Sequence, residues 1–178
     1  MKKLIPSLLA ILLLTACGSS TSPKTSTSPT PSKSTNPYGS GFAVDAPADT
    51  DVVLTIKGST TKNFTMADMR KLATKTIPIA EPFIKKTQTF GVVKMQDLFN
   101  GIKVPSGASL NTVALNDYAF KATKANFFGN NAYVAVSLAG GPIPMDAGGP
   151  IRIVFDSNSK WFTNLDAWNW SLRTIEVL

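Results

Sequence analysis

The chain has one cysteine, Cys17, which closes an apolar run near the N-terminus, and it has no histidine anywhere. Whatever folds behind Cys17 is therefore held together without a cysteine cross-link. Disulfides, thiolate-held zinc and iron–sulfur clusters are excluded from it. So are histidine metal sites, a histidine proton shuttle near neutral pH, and Ser-His-Asp or Cys-His nucleophilic machinery.

The surroundings of Cys17 explain why a cysteine stands there. Lys2 and Lys3 precede the apolar run Leu4–Leu14, and Thr15-Ala16-Cys17-Gly18 follow it, which is the three-part layout of an export signal. The run is shorter than the roughly 20 apolar residues that a bilayer core demands. Leu14-Thr15-Ala16-Cys17 resembles the lipobox of bacterial lipoproteins. That resemblance implies a lipoprotein signal peptide over residues 1–16, with Cys17 lipidated as the anchor to the cell membrane or outer membrane on its extracytoplasmic side. Each buried methylene of such an anchor adds roughly 0.8 kcal/mol, so two or more acyl chains hold stably.

Residues 17–41 comprise Cys17 and a tract of Ser, Thr, Pro, Lys, Asn and Gly with almost nothing to bury. Such a composition does not repay the entropy of ordering and reads as a disordered tether. Residues 42–178 are long enough for one domain with a real core. The chain carries 18 Lys and Arg against 11 Asp and Glu, and removal of Lys2 and Lys3 leaves 16 against 11. These cations are scattered beyond short pairs such as Arg70-Lys71 and Lys85-Lys86, so no nucleic-acid stripe is expected.

Within the domain, Val52–Lys57 ends at Gly58 and reads as a strand and turn. Thr65 reads as an N-cap with Asp68 in the first turn of a helix, and Met69, Leu72 and Ala73 recur at helical spacing. A proline-containing segment, Ile77–Phe83, follows; Phe90–Phe99 then predicts a short strand or turn leading into a short helix. Val113–Leu115, Ala132–Leu138, Ile151–Phe155 and Ser171–Val177 predict further strands, with Gly140–Pro144 and Gly148–Pro150 bracketing a turn-rich connection. Many short strands with few helices predict an α+β class, of mixed β-sheets with a few short helices.

The segments FTMADMRKL, FGVVKMQDLF, NDYAF, LAGGPIPMDAGGPIRIVF and WSLRTIEVL, in that order, resemble the oxidoreductase molybdopterin-binding domain, the sulfite-oxidase fold, over roughly residues 52–178. The most specific part is Gly141-Pro142-Ile143-Pro144 with Gly148–Val154. Enzymes of that family hold molybdenum through a cysteine thiolate between the first helix and the F-G-V segment, and surround the pterin with cationic side chains. Here that stretch, Ala73–Thr89, has no cysteine, and molybdenum is a metal that wants a soft ligand. The family's Lys-Trp region is also altered, reading Ser159–Asp166.

Seven residues are candidate ligand contacts. Asp117 and Tyr118 match a family segment near the cofactor cleft, and also suit a turn. Arg152 lies inside an apolar strand, where a cation needs an ion-pair partner or an anionic ligand. Lys160, Trp161 and Asn164 come from the altered region, and Trp168 would share one face with Trp170, opposite Asn169, if that segment is extended. With no cofactor expected, the domain reads as a ligand-binding or interaction module for a small ligand or an envelope protein. The alternative is a molybdopterin-dependent oxidoreductase acting on a small oxyanion or sulfoxide.

Overall fold

β-branched and aromatic side chains mark most of the segments that pair into sheets in the computed structural model, which describes residues 45–178. The signal peptide, Cys17 and the tether expected over residues 1–41 lie outside the described residues. Val52–Lys57 (β1) pairs antiparallel with Thr61–Thr65 (β2), and the intervening turn is closed by Gly58 N–H donating to the Thr60 carbonyl at 3.1 Å. β2 passes directly into the helix Met66–Leu72 (α1) because Thr65 is both the last strand residue and the helix cap. Asp68 N–H donates to Thr65 Oγ1 at 3.2 Å, and the Asp68 carboxylate accepts from Thr65 N–H at 2.9 Å. Met66 and Met69, on one face of the helix, are the side chains that α1 buries.

The proline-containing segment proves to be a strand, Lys75–Glu81 (β3), antiparallel to Lys86–Lys94 (β4). Pro78 is tolerated there because β3 is an edge strand, where a missing N–H costs no ladder bond on the open side. The short helix expected after β4 is a 3-10 turn, Met95–Phe99. Ser109–Ala114 (β5), Ala119–Thr123 (β6), the helix Lys124–Gly129 (α2), Ala132–Leu138 (β7), Arg152–Phe155 (β8) and Leu172–Val177 (β9) complete the order.

Five strands form one sheet in the order β2-β1-β9-β5-β6, and four form another in the order β3-β4-β7-β8. The first is mixed, since β1 and β9 run parallel with Ile56 opposite Ile175, and the second is antiparallel throughout. The architecture is thus sheet-rich α+β. Leu54, Ile56, Leu110 and Ile175 of the first sheet share one buried cluster with Phe90, Val134, Ile153 and Phe155 of the second, joined by Met69 of α1 and Phe127 of α2. Full burial of side chains of this size contributes about 1.5–3 kcal/mol each, which is how a domain without a thiol is held. Among the described residues no helix is long and apolar enough to cross a membrane.

Candidate functional site

A buried asparagine organises the loop that carries two of the three tryptophans. After β8 the chain forms a 3-10 turn, Leu165–Ala167, and then runs through Trp168, Asn169 and Trp170 into β9. Asn169 is fully buried; its Nδ2 donates to the Thr112 carbonyl at 2.9 Å and to Thr112 Oγ1 at 3.2 Å, both on β5. Its own carbonyl accepts from Ile153 N–H, on β8, at 2.9 Å. One residue therefore joins the two sheets, and its neighbours Trp168 and Trp170 line a common cleft.

That cleft encloses about 440 Å³, within the range that suits small ligands. Phe83 enters it from the turn between β3 and β4; Ala114, Asn116 and Tyr118 come from the end of β5 and the turn before β6; Leu165 and Asp166 come from the 3-10 turn. The rings meet edge to face: Phe83 stands 5.0 Å from Trp170 at 73° and 6.1 Å from Trp168 at 83°, the arrangement that ring quadrupoles favour. Trp168 is only 2% exposed and forms floor, whereas Phe83 at 40%, Tyr118 at 42% and Leu165 at 47% are walls open to solvent. Large apolar side chains are thus gathered on one stretch of surface.

Hydrogen bonds fix the walls. Tyr118 Oη donates to the Asp166 carbonyl at 3.0 Å, linking two loops, and Trp168 Nε1 donates to the Phe162 carbonyl at 3.2 Å. Partial burial, and after it the negative charge of Asp166, hold the Tyr118 phenol above its ordinary range. Behind Trp170 sits Arg152, fully buried, with its guanidinium 4.3 Å from the ring centroid. Its Nη1 donates to the Ala147 carbonyl at 2.9 Å, and its Nη2 lies 3.3 Å from the Glu81 carboxylate.

The glycines of the turn-rich connection have a steric reason. Gly148 has φ +83°, and a Cβ on it would stand 2.8 Å from the Trp170 ring; a Cβ on Gly149 would stand 1.9 Å from the Ile143 carbonyl oxygen. Backbone thus takes the space beside Trp170 that a side chain would need.

Of the seven candidate contacts, the structure brings Tyr118 and Trp168 into the cleft, with Arg152 behind its wall. Asp117 is exposed and forms an ion pair with Arg173. Its positive φ of 65° and the bond from Tyr118 N–H to Asn116 Oδ1 at 3.1 Å make the segment a turn as well as a wall. Lys160 is exposed outside the cleft, and Asn164 precedes the 3-10 turn. Trp161 packs elsewhere, against Phe120, Phe127 and Phe155 at 5.4, 5.2 and 5.8 Å. Sequence reasoning did not name Phe83, Ala114, Asn116, Leu165 or Asp166 as contacts, and took Trp170 only as the neighbour of Trp168 on one face; an aromatic residue after Pro82, between two strands, was the available signal for the first.

Asp166 is the one formally charged residue of the lining, which has neither a thiol nor a cation. Among the described residues no group of three carboxylates, histidines or cysteines is gathered as a metal site. No family model matches this chain, and no curated protein matches it.

Proposed function

We propose that this chain is a membrane-tethered, extracytoplasmic lipoprotein whose folded domain is a cofactor-free ligand-binding or interaction module. Residues 1–16 act as its signal peptide, and lipidated Cys17 anchors it to the cell membrane or outer membrane. Its partner is a small ligand or another envelope protein. The observation that carries the binding role is the aromatic cleft: open to solvent, of small-ligand size, and built on loops pinned by buried Asn169.

The order of elements, with the glycine-proline connection before β8 and the strand that closes the chain, supports the sulfite-oxidase-type fold as the finer description. The cleft itself does not fit molybdopterin. From Ala73–Thr89, the stretch in which the resemblance puts the thiolate, the residue that lines the cleft is Phe83. A phenyl ring offers molybdenum no lone pair, and the lining offers a pterin phosphate no cation. The alternative of a molybdopterin-dependent oxidoreductase therefore lacks a ligand set in this cleft.

The test is to express the full chain in a host that makes the cofactor, extract it in non-ionic detergent, and measure molybdenum and pterin per chain. A fragment library is then screened by intrinsic tryptophan fluorescence. Far less than one metal per chain is expected, together with fragment responses that weaken in Phe83→Ala. One molybdenum and one pterin per chain would sink the cofactor-free reading, and a silent screen would sink the binding role.

A further inference from the structure

We infer that the cleft takes an apolar cation, an alkylammonium ligand whose hydrocarbon part lies against Phe83, Trp168 and Trp170 and whose positive charge faces Asp166. This rests on the cleft being a binding site and specifies the chemistry of its ligand.

The argument is one of charge against a hydrophobic background. Asp166 carries the only formal charge in the lining, is exposed, and among the described residues takes part in no ion pair. Its backbone carbonyl, not its carboxylate, is the acceptor for Tyr118 Oη. The carboxylate is thus left to meet a ligand, and it lies close enough to Tyr118 to act on the phenol. Arg152 does not serve as its counter-charge, because that guanidinium is fully buried and paired with Glu81.

The aromatic walls point the same way. Ring faces carry negative potential and attract cations, most of all where water is partly excluded. An anionic ligand would meet these rings and Asp166 with no cation in the lining to receive it. A neutral sugar would need several polar partners, and the lining side chains offer few beyond Asn116, Tyr118 and Asp166. A methylated ammonium group suits both the apolar surface and the carboxylate, because its charge is spread over methyl groups that shed water cheaply.

The experiment uses three ligands of nearly one shape: choline, the uncharged 3,3-dimethylbutan-1-ol and the anionic 3,3-dimethylbutanoate. They are titrated into the full chain in a polyoxyethylene detergent, with tryptophan fluorescence as the readout. Choline is expected to bind at least about tenfold more tightly than either analogue. Asp166→Asn keeps the backbone carbonyl that Tyr118 uses, and it should remove most of that preference while leaving the alcohol unaffected. Should the variant fold poorly, the salt dependence of the unaltered chain reads the same charge, since choline binding should weaken with ionic strength and alcohol binding should not. Equal binding of choline and the alcohol, or tighter binding of the acid, overturns the inference and leaves the binding role standing. No response to any of the three also overturns it, and the fragment screen then decides the binding role separately.

Discussion

Arg152 Nη2 lies 3.3 Å from the Glu81 carboxylate, and both side chains are withdrawn from solvent. Glu81 is the last residue of β3 and Arg152 the first of β8, which are the two edges of the four-stranded sheet. The pair therefore ties the edges of that sheet to each other, and the same guanidinium backs Trp170 in the cleft wall.

Breaking this pair from one side takes the carboxylate away from a buried guanidinium. Glu81→Gln should cost about 3–5 kcal/mol in equilibrium urea unfolding, whereas Glu81→Leu combined with Arg152→Met should recover most of the loss. A cost below about 1 kcal/mol for the single change would mean that the sheet edges are held by something else.

Gly148→Ala brings two penalties together, a left-handed φ and a Cβ pressed against the Trp170 ring. We expect a loss exceeding about 1 kcal/mol in thermal unfolding, accompanied by a shift of tryptophan emission as the ring moves. Gly107→Ala, in a turn where a Cβ would meet nothing within 4 Å, is the control and should leave the emission unchanged.

The capping box sets an acid limb. Hydrogen bonds from the Thr65 backbone, and then from its hydroxyl, hold the Asp68 carboxyl below the usual range against an opposing desolvation, with Lys71 and Lys62 adding to the lowering. The unfolded carboxyl titrates at about 3.9, so this contribution is complete above that pH and is lost as the pH falls through the lower folded value. Thr65→Ala should cost about 1 kcal/mol near neutral pH, and Asp68→Asn should flatten the acid limb of a pH series of unfolding curves.

Tyr118 shows the opposite sign. Its phenol is raised by partial burial and by Asp166, so as the pH rises past about 10 the unfolded chain releases a proton that the folded chain keeps. Stability contributed by this group therefore falls across that alkaline window. Ultraviolet titration of the phenol should move toward the ordinary range in Asp166→Asn, and an unmoved titration would separate the two side chains.

Cys17→Ala should abolish incorporation of labelled fatty acid into the chain, because Cys17 is the proposed attachment point. Incorporation of the label into the variant would refute the proposed anchor at Cys17.

Some elements are legible because everything that determines them lies within a few residues. Thr65 and Asp68 satisfy each other across one helical turn, and Val52–Lys57, Ala132–Leu138 and Leu172–Val177 carry the β-branched side chains that suit a pleated surface. β2 is less legible: TKNFT is mostly polar and becomes a strand by pairing with β1. Pro78 conceals β3 until its edge position is known.

By itself, the sequence determined what this domain must do without: thiols and histidines, hence the chemistries that need them, together with an α+β composition of short strands. It also marked Tyr118 and Trp168 as residues worth following. Only the tertiary structure decided that these two share a cleft with Phe83 and Asp166, and that Trp161 belongs to a separate aromatic cluster. The reason is physical. The cleft is made by connections far apart in the chain, brought together by a buried Asn169 between the sheets and a buried ion pair across one of them, and long-range contacts of that kind leave no periodicity to read.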